Sequence, residues 1–480
     1  MFNDVASAAM QIVGMSLAIK QLKQQSSCFH FAWLFTTAWL IGSVWWLYIA
    51  LHIHGNLPAA MSIIAIALLC GALALYYAFA MLVYVKYQET LGIWQKALLF
   101  ASCWTLAEMA RAQWFTGFPW AAVGYAQINS VLSLAAPWTG VYGIGFVAIF
   151  MATFLSEYQM SSRRQNVMVV LLMLALLIPV VRTTENIKPN LSVQLLQGNI
   201  PQNLKFGSGR EEALQWYKAE SLASQANITV FPETAIPYLQ RELPQNYWQE
   251  LEDKFNGAEQ MAVIGLLTHT EAGYANSAVA LGQEADPHIY NKYHLVPFGE
   301  FTPYMFKWFT QMVSFGLADF ARGSDSAPPF KWQQHKISVN ICYEDVFGEE
   351  LAKRFVQGQE NVPTVLVNIS NIDWFGDTVV IPQHLNIARM RSLEFNRPSI
   401  RATNSGGTAI ISAQGEITHQ LKPFTRGVLQ GEISSVQKAI TPFAYWSGHW
   451  GLKPLWLLCL TLLAGLIYSA TKHRSTKGKT

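Results

Sequence analysis

Long apolar runs without charge limit this chain most. Ala60 to Val85 holds no Asp, Glu, Lys or Arg, and neither does Phe29 to Ile53. At about 1.5 Å rise per residue, each is long enough to cross about 30 Å of hydrocarbon. A segment in lipid must satisfy its own peptide groups, and a helix does so within a single run. Five shorter or weaker runs follow the same logic: Val5 to Ile19, Ala97 to Ala112, Val141 to Leu155, Val167 to Val181 and Pro454 to Ala470. About seven spans are expected, with a long mixed stretch between the last two.

Composition supports a membrane protein with a soluble part. The 480 residues are 51% hydrophobic and only 13% charged, too apolar for one soluble globule. A net charge of +3, with no basic run interleaved with aromatics, excludes a nucleic-acid groove binder. The first lysine is Lys20, so no basic n-region precedes the first run and a cleaved signal peptide is not expected. Lys20 and Lys23, Lys86 and Lys96, Arg163 and Arg164, and the tail Lys472, Arg474, Lys477 and Lys479 fall on alternate connections. All four sites then lie on the cytoplasmic side, and the stretch from Val181 to Pro454 lies on the other.

That division gives a helical membrane domain over residues 1–183 with about six spans, a soluble domain over 190–435, and a final span at 454–471 with a basic cytoplasmic tail. Within the soluble part, Leu191 to Leu195 alternates as a half-buried strand does. Further strands are expected at Ile228 to Phe231, Met261 to Leu267, Ile337 to Cys342, Thr364 to Ile369, Ala409 to Ser412 and Val428 to Ile433. Arg210 to Ala223 and Tyr247 to Phe255 read as helices. Mixed elements over this length argue for one α/β domain.

Four of the five cysteines (Cys28, Cys70, Cys103, Cys459) sit in apolar runs and read as small packing residues. Cys342 is left alone in Val339-Asn-Ile-Cys342-Tyr343-Glu344-Asp345. A lone thiol at a strand end beside carboxylates reads as a nucleophile, with a buried small hydrophobe as the alternative. No Cys/His spacing suits zinc, and no metal is expected. In Phe231-Pro-Glu233-Thr-Ala-Ile-Pro237, two prolines stiffen the chain around a candidate base, although an ordinary loop glutamate reads the same way. In Tyr290-Asn-Lys292-Tyr-His-Leu-Val-Pro-Phe-Gly-Glu300, a lysine with a returning glutamate offers a cation for an oxyanion. Glu108 and Arg111, at i and i+3 near the end of an apolar helix, mark either a site near the outer interface or a structural ion pair.

Phe-Pro-Glu233, Tyr-Asn-Lys292-x-His-Leu-Val-Pro-Phe-Gly-Glu300 and Ile-Cys342-Tyr-Glu344 occur in the order of the Glu-Lys-Cys set of carbon-nitrogen hydrolases. The chain closely resembles the apolipoprotein N-acyltransferase branch of that nitrilase-like superfamily. Trp104-x-x-x-Glu108-x-x-Arg111, Thr116-Gly-Phe-Pro-Trp120, Gly124-Tyr125, Asn368-x-Ser370-Asn371 and Arg401-Ala-Thr-Asn404 extend the resemblance over nearly the whole chain.

The resemblance implies a multi-span helical membrane domain plus a nitrilase-like α-β-β-α sandwich. It implies Glu233 as general base, Lys292 as stabiliser of the tetrahedral intermediate and Cys342 as the nucleophile that becomes a thioester. Glu300 would orient Lys292, and Tyr343 and Glu344 would shape the site. The implied activity moves a fatty acyl group from a phospholipid to the α-amine of a lipoprotein's S-diacylglyceryl-cysteine, by a ping-pong route without cofactor. The implied setting is the bacterial inner membrane, with the catalytic domain on the periplasmic side and the chain a monomer. A membrane-tethered amidase and a catalytically inert lipoprotein-binding paralogue are the alternatives.

The chain departs from the family at three points. It begins at what matches the family's second hydrophobic segment, so its amino terminus is expected outside. The family's Asn-Asp-Ala-Trp-Phe-Gly is here Asn371-Ile-Asp373-Trp374-Phe-Gly376, and the family's tryptophan after Asn-Leu-Lys is Phe206. Phe206, Trp120, Trp374, Trp308 and Phe309 are expected to contact lipid. The last two belong to Phe301 to Phe315, which is too apolar for a solvated loop and is read as a lid, with core packing as the alternative.

Overall fold

The computed structural model describes residues 2–158, 167, 188, 190–256, 259–282, 288–304, 307, 319–435 and 437–477. The chain divides into a helical unit (Met1–Tyr48, Leu57–Thr183 and Trp450–Thr480) and a second body (Ile49–Asn56 and Thr184–His449).

The helical unit contains α1 (Phe2–Leu22), α2 (Cys28–Val44), α3 (Ala59–Tyr87), α4 (Ile93–Gln113), α5 (Ala136–Ser156, kinked at Gly140) and a last helix, Lys453–Lys477. Among the described residues, three helices are long and apolar enough to cross a membrane, at Ala59–Thr90, Val131–Ser156 and Lys453–Arg474. The run Val167 to Val181 lies outside the described residues.

One expectation is corrected here. The run Phe29 to Ile53 is not one helix: α2 stops at Val44, and a wide π-type turn occupies Ile49–His54. At the break the Trp46 indole donates to the Ser43 carbonyl at 3.1 Å, occupying an acceptor the next turn of α2 would use. Apolar composition does not reveal such a break.

The ends of these helices bring basic residues together. Lys23 and Lys96 both pair with Glu157, just past α5, and Tyr84 donates to it at 2.9 Å. Arg474 donates to the Lys86 carbonyl at 2.7 Å.

In the second body, alternation builds two facing sheets. One is seven-stranded, with β13 (Gly427–Ile433), β1 (Leu191–Gln197), β2 (Ile228–Val230), β4 (Met261–Thr270), β5 (Gly273–Leu281) and β6 (His288–Asn291) in that order, and β3 (Ile236–Leu239) against β4. The other runs β12 (Ile417–Gln420), β11 (Ala409–Ile411), β10 (Ser399–Thr403), β9 (Val365–Ser370), β8 (His335–Ile341) and β7 (Phe330–Trp332). Val193, Leu195, Val230 and Val263 of the first sheet meet Ile337, Val339, Ile341, Val367 and Ile369 of the second in one buried core. Their spacing of two within each strand follows from side chains alternating across the pleat.

Leu196, Ala262, Ile264 and Leu266 face the other way and bury against helices Arg210–Ala223 and Tyr247–Asn256. On the far side, helix Pro442–Trp450 packs Phe443 and Ala444 with Leu366 and Phe395. The result is the expected α-β-β-α sandwich, and its packing reaches past Ile433 to that helix.

Candidate active site

The expected base, cation and thiol each lie just beyond a strand: Glu233 after β2, Lys292 directly after β6 and Cys342 directly after β8. β1, β2 and β4 run parallel, as do β8, β9 and β10, so each sheet gathers its strand ends, and hence its loops, along one edge. The backbone there is bent hard. Cys342 itself has φ 53°, Thr234 beside Glu233 has φ 46°, and Phe298 between Lys292 and Glu300 has φ 61°. Non-glycine residues adopt this left-handed region at a cost of about 1–3 kcal/mol each, and persist there when the surroundings dictate it.

Around Glu233 those surroundings are specific. Asn276 Nδ2, on β5, donates to Glu233 Oε1 at 2.7 Å and to Glu300 Oε1 at 2.8 Å. Lys292 Nζ lies 3.4 Å from Glu233 Oε1 and 2.9 Å from Glu300 Oε1. The Asn371 amide, just past β9, donates to Glu233 Oε2 at 2.8 Å, so the second sheet holds the other oxygen of this carboxylate. Beneath it, Gly265 passes so close that a Cβ there would sit 2.1 Å from the Pro232 carbonyl oxygen and 2.9 Å from Glu233 Cα. Only glycine allows that approach.

Glu300 accepts from Lys292 and, at 2.8 Å, from the Val296 amide. Glu344 ties two loops together. Its Oε1 accepts from Tyr290 (2.7 Å) and the amides of Tyr293 (2.8 Å) and His294 (3.1 Å), while Oε2 accepts from the Ile341 amide at 2.7 Å. Tyr343 is buried edge-on to Phe347, whose ring stacks on His294 at 3.6 Å.

Lys292 is 1% exposed. Burial pushes its ammonium down, but the carboxylates of Glu300 and Glu233 outweigh that and hold it above its ordinary value, so it stays a cation. Burial pushes the Cys342 thiol up to about 12; Glu233 and Glu300 add to the rise, while Lys292 and Arg401 oppose it. A thiol held this high would need a base before it could act as a nucleophile.

The expected lipid contacts separate. Phe206 is 51% exposed and Trp374 is 39% exposed, the latter edge-on to His54 at 5.4 Å. Trp120 is buried in the helical unit against Trp46 at 5.1 Å. Trp308 and Phe309, with most of the expected lid, lie outside the described residues.

Several further candidates lie outside the expected catalytic and supporting set. Asn276 sits in a strand of small residues. Asn371 acts through its main chain. His384, on helix Val380–Phe395, takes a hydrogen bond from Arg401 at 2.6 Å, and Arg401 also pairs with Asp345 at 2.9 Å beneath the thiol's turn. Lys205 is buried 3.0 Å from the Glu233 carbonyl oxygen.

Comparison with known proteins agrees with this architecture. Residues 2–154 match the family described as apolipoprotein N-acyltransferase N-terminal domain, and residues 193–440 match carbon-nitrogen hydrolase. The chain is 44% identical to the apolipoprotein N-acyltransferase of Verminephrobacter eiseniae over 87% of its own length and 82% of that protein's. It is 35% identical to that of Ralstonia nicotianae, over 90% and 84%. Among solved structures, a CN-hydrolase superfamily protein from Xanthomonas campestris covers 55% of this chain and 95% of its own at 15% identity, with a TM-score of 0.40.

Proposed function

Starting from the fact that this chain belongs to the apolipoprotein N-acyltransferase family, we propose that it transfers acyl groups through a thioester on Cys342, with Glu233 as base and Lys292 as oxyanion stabiliser. The observation that carries this is the meeting of Glu233, Lys292 and Glu300 within 2.9–3.4 Å, with their charges acting on the half-buried Cys342 thiol.

In the first half-reaction Glu233 takes the Sγ proton and the sulfur attacks the ester carbonyl of a phospholipid. The oxyanion that develops faces the Lys292 ammonium, a charge already oriented by Glu233 and Glu300. The ester C–O bond then breaks, Glu233 returns its proton to the departing lysophospholipid oxygen, and the thioester remains. In the second half, the neutral α-amine of a lipoprotein's S-diacylglyceryl-cysteine attacks the thioester. Glu233 takes the amine proton, the C–S bond breaks, and the thiolate recovers that proton. No cofactor enters either step.

Glu300, Tyr343 and Glu344 position these groups. The exposed rings of Phe206 and Trp374 are suited to acyl chains, and Trp308 and Phe309 belong to the same reading as parts of a lid. The clustering of Lys23, Lys96 and Arg474 at helix ends supports a cytoplasmic placement for those ends in the bacterial inner membrane. The catalytic body then works in the periplasm, where both lipid substrates are held at high effective concentration, and the chain acts as a monomer.

Intact-mass measurement after incubation with phospholipid vesicles tests the chemistry. Wild type is expected to gain one acyl group and Cys342→Ala none; a diacylated lipopeptide then removes the group as triacylated product. A folded wild type without adduct contradicts the proposal, and discharge by water alone identifies an amidase instead.

A further inference from the structure

Lys205 ends the short helix Gln202–Lys205 and is only 2% exposed, an uncommon state for a lysine. Its Nζ donates to the main-chain carbonyl of Glu233 at 3.0 Å. The helix is fastened to the site from the other side as well. The Gln202 amide donates to Asp373 Oδ2 at 2.7 Å, and Gln202 Oε1 accepts from Asn371 Nδ2 at 2.7 Å, the residue whose amide holds Glu233 Oε2. Lys205 thus belongs to the framework around the base, yet no step above uses it.

Charge gives it a use. Glu233 and Glu300 are two carboxylates with one ammonium, Lys292, between them, which leaves one negative charge uncompensated. Arg401, the other cation acting on the thiol, is already paired with Asp345. Moving the Cys342 proton to Glu233 shifts negative charge onto sulfur without removing any. A second buried cation offsets that excess and lowers the energy of both thiolate and oxyanion.

We propose that Lys205 is a second cation of the reaction centre, a positioning residue that holds the main chain of Glu233 and balances the charge that develops on Cys342 and the acyl oxygen. This rests on the reading of Cys342 as the nucleophile. The charged or titratable groups acting on Lys205 are Glu233, Asp373 and Cys342. Burial pushes its ammonium down and those three restore only part of the loss, leaving it at about 8. Its charge is therefore present below that pH and lost above it. A lysine that merely caps a carbonyl would stabilise the fold without linking rate to its own charge.

The test follows the rate of acyl adduct formation in the full-length protein with phosphatidylethanolamine vesicles from pH 6 to 10, by intact mass. Wild type should slow above about pH 8, as one proton is lost. Lys205→Arg should stay within about threefold of wild type at pH 7 and move that fall upward by about one pH unit or more, since guanidinium keeps its charge. Lys205→Met should be slower by about 10–100-fold at pH 7 and show no such fall. A wild-type rate in Lys205→Met, or an unmoved alkaline fall in Lys205→Arg, overturns the proposal. If Lys205→Met does not fold, the arginine variant decides. An adduct that persists in Cys342→Ala would instead refute the nucleophile reading, so the two failures are distinct.

Discussion

The helical unit and the catalytic body each bury opposite charges, and they use them differently. In α4, Glu108 and Arg111 are both fully buried, one helical turn apart, yet they form no ion pair with each other. Arg111 donates to the carbonyls of Phe118 (2.6 Å) and Trp120 (2.5 Å) and to the Tyr77 hydroxyl (2.9 Å). Glu108 Oε1 accepts from the Val123 amide at 2.8 Å and the Trp104 indole at 3.3 Å. These charges satisfy the main chain of the loop after α4. In the catalytic body, Glu233, Lys292, Glu300 and Asn276 bind chiefly one another's side chains. Charge spent on main-chain groups fixes a loop; charge gathered around a thiol stays able to respond when that thiol ionises.

Removing one cation from each cluster gives the largest expected contrast. Lys292→Met should reduce adduct formation by about 10³-fold or more, because the oxyanion loses its stabilising charge. Arg111→Met should leave the rate of folded molecules within about threefold, while destabilising the helical unit by about 3 kcal/mol through unsatisfied buried carbonyls. Single-turnover mass measurements paired with thermal unfolding separate the two. Loss of chemistry in a stably folded Arg111→Met protein would break the comparison.

Glu233→Gln sharpens it with effects of opposite sign. Glu233 raises the Cys342 thiol, so removing its charge should lower the thiol and speed alkylation by iodoacetamide at pH 7 by about tenfold. Acyl transfer should nevertheless fall by about 10²–10⁴-fold, because the proton acceptor is gone. In wild type, alkylation should be slow at neutral pH and climb towards pH 10, since the thiolate is scarce below its raised value. Fast neutral alkylation of wild-type Cys342 would show a preformed thiolate instead.

Asn276→Leu should cost less, about 10–100-fold in kcat with KM little changed, since Glu233 and Glu300 keep Lys292 but lose their shared neutral donor. Asn276→Asp should be worse, placing a third carboxylate against two others. If leucine is harmless, the bridge is structural only.

Much of this was legible in the sequence where one residue type carries one signal. Arg210–Ala223 appears with the expected bounds, and β1, β4, β8 and β9 fall where alternation places them. Cys342, Glu233 and Lys292 were findable because a thiol, a proline-flanked carboxylate and a lysine with a returning glutamate are chemically conspicuous. β5 was not: Gly273-Tyr-Ala-Asn-Ser-Ala-Val-Ala-Leu281 is rich in small residues and becomes a strand through pairing along β4. Helix Val380–Phe395 escaped for a related reason, since its buried face includes His384, Arg391 and Glu394 rather than a clean apolar stripe. Asn276 and Lys205 owe their importance to partners far away in sequence, 43 and 28 residues in the case of Glu233. The break after Val44 likewise depends on one indole, which hydropathy counts as apolar.

The smallest expected effects lie at the exposed rings. Phe206 follows directly on buried Lys205, so its backbone is fixed while about half its surface is open. Trp374 is less open, and its edge-on contact with His54 lies next to Gly376, where φ 63° turns the loop back. Phe206→Ala removes exposed apolar area alone; it should raise KM for phospholipid by about three- to tenfold with kcat unchanged, the signature of lost binding shared by ground and transition states. Trp374→Ala removes area and also loosens the loop that carries the Asn371 amide to Glu233. It should raise KM to a similar extent and lower kcat by a further few-fold, about 1 kcal/mol of lost positioning. Kinetics on mixed micelles with varied phospholipid fraction resolve the two. A kcat effect in Phe206→Ala larger than that in Trp374→Ala would place the sensitive link to the base at the Lys205 helix rather than at the Asn371 loop.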